Sequence, residues 1–474
     1  MSNLKKAISP AALISIGAAG VIGSSWLYLG SSFFAEFGAG GTILGFAVAT
    51  ILASFVAMSY SWFASQFPRA GGEVVYVFVA GNRLLGYTVG WLLIGTFTAL
   101  AAFYFTATAR LLSTVWPQLN SFPMYSIGGS DVYLPAIIIG LALSLFIFFV
   151  NWLGAAISAK TELLLFAAMV VLAGFVVVAG FSSGSVENFW PLFDAELTGR
   201  GNVSNILSFV LPAMAFMTGF SVVAIMAEEA TSSPRRIGQI IVWSVVIAGL
   251  FYIIVLTATA WVLPWQDIAK MTNGTIEAFD VAGMPIISTA AFVIGVLGLF
   301  TTFIAVFSAS ARIMVALARI ELFPKVFATV DKKSGAPRAA LTFTLIIGIA
   351  LGLLGPGALV WFLNTMGVYI GIVWAISIWS YYRMPIINKT LKDGSSTPKR
   401  SIFPAIGGIA AIAIVLAALL PFSPTALTSP YEYLIVLGWF GLGLLIYLFS
   451  PKKMTRKESL KALLGEFYDE EHIK

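Results

Sequence analysis

The chain has 474 residues, 59% of them hydrophobic and only 10% charged, with a mean hydropathy of +0.95. No water-soluble domain of this size hides so much apolar surface, so the composition excludes a soluble protein and points to a multi-pass membrane protein. The net charge of +6 reads as membrane sidedness and not as nucleic-acid binding, the absence of cysteine excludes disulfides and thiolate metal sites, and the single His472 leaves no catalytic or metal-ligating cluster on which to build an enzyme.

Twelve apolar stretches follow one another, each long enough to cross about 30 Å of hydrocarbon. They are residues 11–35, 42–66, 85–114, 133–150, 157–181, 203–227, 238–262, 285–316, 339–355, 358–380, 403–421 and 432–450. Lysine and arginine crowd the loops on one side, which places both termini in the cytoplasm, and no cleavable signal peptide is evident.

The first span carries Gly17, Gly20 and Gly23 and then Ser24 and Ser25 at mid-bilayer depth. Glycine weakens a helix and serine adds small polar groups, so the helix is expected to unwind there and free the backbone of Ile22, Gly23, Ser24, Ser25 and Trp26 for a ligand. The half-helix that begins at the break points its positive end at an anion such as a carboxylate. Close helix packing is an equally open reading of Gly20 and Gly23. Glu36 closes this span on the outside as a solvated helix end, Arg110 snorkels at the end of the third, and Lys160 and Glu162 anchor the fifth at the inner interface.

The sixth span repeats the break at Thr218-Gly219-Phe220-Ser221, preceded by Phe216 and Met217. Phe216 and Phe220 lie a turn apart, where they either cover a ligand or pack in the core. Glu228 and Glu229 follow at the inner end, as a latch with Arg235, Arg236 or other inner basic residues or as solvated interfacial charges. Interrupted helices at positions one and six predict two halves of opposite orientation within one membrane domain, residues 11–181 and 203–380, with further helices over 403–450 and a tail at 451–474. The tail is expected to hold a short surface helix, and Lys389 to Lys399 a flexible loop. No acidic residue occupies the middle of a span, which favours a zwitterionic or neutral ligand over a strongly cationic one.

Several segments resemble the amino acid, polyamine and organocation superfamily of permeases. Gly20-Val21-Ile22-Gly23-Ser24-Ser25-Trp26 is similar to its Gly-x-Ile-Gly-Ser-Gly-Ile-Phe element, with Ser25 replacing the second glycine. Phe67-Pro68-Arg69-Ala70-Gly71-Gly72-Glu73 through Tyr76 is similar to its loop after span two. Gly219-Phe220 through Ala227-Glu228-Glu229, with Pro234 to Ile237, resembles its span-six signature, and Ala318-Arg319 through Phe323-Pro324-Lys325 its inner end of span eight.

The resemblance implies an all-α, LeuT-like fold with a five-plus-five inverted repeat and discontinuous helices one and six. It implies alternating access around a small amino acid or derivative, with Ser24 and Ser25 at the carboxylate, carbonyls near Ile22, Phe216 and Met217 at the amino group, and Phe216 as the aromatic gate. Met169 stands where many proton-linked relatives carry a lysine, so exchange, sodium coupling through Ser308 or Ser310, and proton coupling elsewhere all stay open. Ser221 replaces the glutamate of the acid-resistance exchangers. The expectation is a secondary transporter of a bacterial cytoplasmic membrane, with no cofactor and no phosphate-binding loop for ATP. A polyamine importer or exchanger of the same fold and a non-transporting membrane sensor are the alternatives.

Overall fold

The computed structural model describes residues 4–387, 401–421, 423, 426–451 and 453–468. Helix α1 (Pro10–Ile22) starts at Ser9, whose hydroxyl accepts the Ala12 N–H at 3.3 Å, with Pro10 at the first helical position where its missing donor costs nothing. It stops at Gly23, whose φ of 53° is left-handed backbone that glycine reaches without strain. Helix α2 (Ser25–Gln66) leaves helical geometry at Gly38 (φ 70°, ψ 171°) and doubles back, so that the Phe33 ring meets Phe46 and Thr42 donates to the Phe33 carbonyl at 3.1 Å.

Helices α3 (Glu73–Ala80) and α4 (Arg83–Ser113) follow, then a hairpin of β1 (Pro123–Ile127) and β2 (Ser130–Tyr133) that the apolar pattern did not announce. Next come α5 (Leu134–Trp152), α6 (Ala155–Ser183), α7 (Ala195–Thr198), α8 (Asn202–Phe216), α9 (Ser221–Ile225) and α10 (Pro234–Val262). The chain continues through α11 (Trp265–Ile268), α12 (Gly274–Val281), α13 (Pro285–Arg319), α14 (Arg338–Gly352), α15 (Leu359–Ile387), α16 (Phe403–Leu419), α17 (Tyr431–Phe449) and α18 (Arg456–Leu464).

Among the described residues, ten helical segments are long and apolar enough to cross a membrane, one of them (Pro10–Leu27) running across the first break and one (Leu29–Gln66) across Gly38, and α14 and α16 are shorter apolar helices. Helix α1 lies in the interior against α6, α10 and α13, while α2 packs on α8 and α10, and α4 on α13, α14 and α15. A helix apolar all round belongs inside, and α1 is that helix. Its opposite is α17, which turns Leu434, Leu444 and Phe449 outward as a face for lipid.

At one end of the bundle the N-terminal segment, the loop after α9 and α18 converge. Ile8 pairs with Ala230, and Arg69 donates to the Leu463 carbonyl at 2.9 Å. The expected surface helix of the tail is α18, closed by a capping box between Thr455 and Glu458, but it is docked on the protein, with Leu460, Leu463 and Leu464 buried. His472 and the segment from Lys389 to Lys399 lie outside the described residues.

Candidate functional site

The break between α1 and α2 is real and supported from two neighbouring helices. Tyr252 of α10 donates its hydroxyl to the carbonyls of Val21 (2.7 Å) and Ile22 (2.5 Å), and Thr302 of α13 donates to Ala19 at 2.9 Å. These partners satisfy orphaned carbonyls at the end of α1 that would be costly inside a membrane. On the other side, Ser24 precedes α2 without capping it, and its hydroxyl is buried with no hydrogen-bond partner. The first turn of α2 therefore presents uncapped N–H groups beside an unoccupied hydroxyl.

The sixth-span break differs from the expected unwinding. The backbone at Met217 keeps near-helical angles (φ −85°, ψ 12°) and tightens into a 3₁₀ turn over Thr218–Phe220 before α9 and a second 3₁₀ turn at Ala227–Glu229. Pro212 inside α8 removes one N–H donor a turn earlier and loosens the approach to this point. Gly219 then lies directly on Gly20, the close approach for which small residues serve in membranes.

Between the two breaks is a cavity of about 180 Å3. Of the residues singled out from the sequence, Ile22, Gly23, Ser25, Phe216 and Thr218 line it, joined by Tyr104, Tyr252, Thr302 and Asn364, which no local pattern marked. Ser24, Trp26, Met217, Gly219, Phe220 and Ser221 are not in its lining. The Trp26 ring packs edge-on against Phe251 at 5.6 Å, and Phe220 is stacked on Trp374 and meets Tyr60 edge-on, so these two aromatic side chains serve the core. Phe216 instead sits at the cavity wall with its ring edge-on to Phe33 at 5.6 Å. No carboxylate, ammonium or guanidinium is among the lining groups.

The candidate coupling residues lie away from the cavity. Met169 is buried within α6. Ser308 donates to the side chain of Asn151, and Ser310 accepts from Thr344 at 3.0 Å, so both hydroxyls are spent on helix packing.

Glu228 and Glu229 are buried in ion pairs, which corrects the solvated reading; of the expected partners, Arg235 and Arg236 are exposed and other basic residues take their place. Arg319 grips both oxygens of Glu228 at 2.8 and 2.9 Å, while Arg69 approaches at 3.5 Å and the amides of Leu4 and Ala70 donate at 3.1 Å. Arg312 binds Glu229 at 2.8 and 3.0 Å. Burial alone would raise the Glu228 carboxyl, but the hydrogen bonds and charge of Arg319 and the charge of Arg69 overcome it and hold it at about 2. These pairs tie α13, the Arg69 loop and the N-terminal segment across the end of span six. Arg312 was legible as a guanidinium inside an apolar span, which calls for a buried carboxylate.

Glu162, expected at the interface, is fully buried in α6 with neither oxygen bonded, while Lys160, Arg110 and Glu36 are exposed as expected. Glu73 shares that condition at the start of α3.

Comparison with known proteins adds a model of the family described as "Amino acid permease", which matches residues 12–459. Human cationic amino acid transporter 4 is 25% identical over 77% of the chain and 58% of its own length, so the chain spans well under two thirds of that relative. The branched-chain amino acid permease BcaP of Lactococcus lactis is 23% identical over 84% of the chain and 86% of its own. The glutamate/serine transporter AimA of Bacillus subtilis is 23% identical over 92% and 81%.

Proposed function

The chain belongs to the amino acid permease family, and on that premise we propose that it is a secondary transporter that carries a small zwitterionic amino acid across the cytoplasmic membrane by alternating access. In this reading the ten long helical segments together with α14 and α16 make twelve crossings, residues 11–181 and 203–380 are inverted repeats, and both termini are cytoplasmic.

The observation that carries the reading is the cavity at the α1–α2 break, walled by span six and free of ionised side chains. A zwitterion brings equal and opposite charges and needs partial charges rather than full ones. Its carboxylate suits the uncapped N–H groups at the start of α2 and the Ser25 hydroxyl, where the positive end of α2 emerges. Its ammonium suits the negative end of α1, where the Val21 and Ile22 carbonyls keep a second lone pair beyond the one engaged by Tyr252. Phe216 then covers the substrate from the span-six side, and the ion pairs of Glu228 and Glu229 hold the inner end closed until the bundle rocks. The cationic, branched-chain and glutamate/serine transporters to which the chain is similar do not agree on one side chain. The missing carboxylate in the cavity argues against cationic amino acids and polyamines.

The test is uptake into proteoliposomes with a panel of labelled neutral, acidic and cationic amino acids and putrescine. Accumulation or exchange of a neutral amino acid supports the reading. Uptake confined to putrescine or lysine overturns the substrate class, and binding without flux overturns transport itself.

A further inference from the structure

Glu73 has no exposed surface, and neither of its carboxylate oxygens has a hydrogen-bond partner. Burying a carboxylate this way is prohibitive if it is charged and tolerable if it carries a proton. The surrounding structure fixes it in place. Gly71 and Gly72 adopt positive φ (94° and 42°), the Gly71 amide donates to the Ile225 carbonyl at 3.2 Å, and a Cβ on Gly72 would come within 3.0 Å of the Ile225 amide. The turn thus presses Glu73 onto α9, the inner half of span six.

The groups facing Glu73 are hydroxyls. Ser221 of α9 and Tyr60 of α2 turn toward it without forming a hydrogen bond, Tyr60 donating instead to Ser377 of α15 at 3.4 Å, and Tyr76 lies on its own helix. Among the described residues no cation pairs with it. On the elements packed against α3, Arg83 binds the Met454 carbonyl, Tyr87 the Gly443 carbonyl, Arg312 and Arg319 hold Glu229 and Glu228, Arg383 lies over Trp379, and Arg456 binds the carbonyls of Val79 and Gly81. Tyr381 packs its ring on Trp62 and Phe63. Arg69, four residues earlier, is committed to Glu228 and Leu463.

Two hydroxyls, those of Thr218 and Ser221, lie between this acid and the substrate cavity. Thr218 lines the cavity, and Ser221 stands three residues further along a 3₁₀ turn, where side chains at that spacing fall one above the other. The Ser221 hydroxyl is itself buried without a partner and next to Glu73. From Glu73 the Gly71–Gly72 turn leads to Ala70, whose amide binds Glu228 within the ion-pair cluster that closes the inner end.

We infer that Glu73 binds the proton that drives this transporter, loading it from the cavity side through Thr218 and Ser221 and releasing it to the inner side when the Glu228 cluster opens. The inference rests on the transport reading above. In the closed form the carboxyl is neutral; burial pushes it up to about 8, offset only in part by the dipoles of its own amide and of the nearby Ser221 and Tyr60 hydroxyls. Opening of the inner end wets the turn, and the proton leaves as the O–H bond breaks and water accepts it. The empty carrier returns with the carboxylate ionised, and that costly unpaired charge is relieved when a proton from the outer side reaches it through Thr218 and Ser221. One proton crosses for each cycle, and no other co-reactant is consumed.

The experiment uses the full chain in proteoliposomes, with a labelled neutral amino acid that the wild type exchanges and with the pH dye pyranine inside. An imposed gradient, acid outside, is expected to drive accumulation by the wild type together with lumenal acidification. Glu73→Gln is expected to lose both while keeping counterflow of the same amino acid, which also shows that it folds. Glu73→Asp is expected to retain gradient-driven uptake. Accumulation by Glu73→Gln at the wild-type level overturns the proton site, as does wild-type exchange that ignores the gradient, and both leave the transport reading intact. A wild type that moves no amino acid in either direction overturns both.

Discussion

Gly219 of span six meets Gly20 of span one so closely that a Cβ on Gly219 would lie 2.0 Å from the Gly20 carbonyl oxygen. The obstacle is backbone, which cannot rotate away. Gly219→Ala is therefore expected to force the broken helices apart, costing about 1–3 kcal/mol or more, and to abolish uptake while the protein still inserts. Gly174→Ala is the matched control, since nothing lies within 4 Å of its added methyl. Uptake and the thermal midpoint in detergent check both; equal behaviour of the two variants would remove the helix contact from the argument.

Arg319→Ala leaves Glu228 as a buried carboxylate held by the amides of Leu4 and Ala70, with Arg69 as its remaining charged partner. The expected loss is about 3–5 kcal/mol, and the double change Arg319→Leu with Glu228→Leu should recover much of it, because replacing both partners removes the unpaired charge. Thermal denaturation of the single and double variants tests this. Because the Glu228 carboxyl sits at about 2 against its usual 4.5, its contribution is fully present above pH 4.5 and is lost as pH falls toward 2.

Glu73 gives the opposite slope. Between about pH 4.5 and 8 the folded protein holds a proton that the unfolded chain releases, so stability contributed here falls as pH rises through that window. Thermal midpoints from pH 5 to 8.5 should decline for the wild type, and Glu73→Gln should flatten the decline.

Tyr252→Phe removes one hydroxyl that serves two carbonyls at the break. The expected cost is about 1–3 kcal/mol in stability. Half-saturation for uptake should rise by about tenfold, the equivalent of 1.4 kcal/mol, if the end of α1 holds the substrate ammonium. A change in maximal rate alone would place Tyr252 in the conformational step and not in binding.

Much of the fold is written locally. Hydropathy is a property of consecutive residues, and the apolar stretches fall on helices because a chain in lipid must satisfy its backbone within the segment. The first break is equally local, since Gly23 needs left-handed backbone and Ser24 follows it. Span six was legible as a discontinuity but not as a 3₁₀ turn, because Met217 to Phe220 keep near-helical angles that composition does not distinguish from unwinding.

What the tertiary structure alone decided is which groups meet. Tyr252 reaches Ile22 across 230 residues and Arg319 reaches Glu228 across 91, and nothing near either end of the chain segment encodes the other. For the same reason Ser308 read as an ion ligand although its hydroxyl donates to Asn151, and Glu162 and Glu73 read as interfacial or loop residues until packing sealed them. Solvent exposure and partnership depend on every element that surrounds a residue, whereas helix and hydropathy depend on its immediate neighbours; the sequence by itself determined where the long apolar helices lie and where the first of them breaks, and only packing determined which charges are paired, which are alone and where a cavity remains.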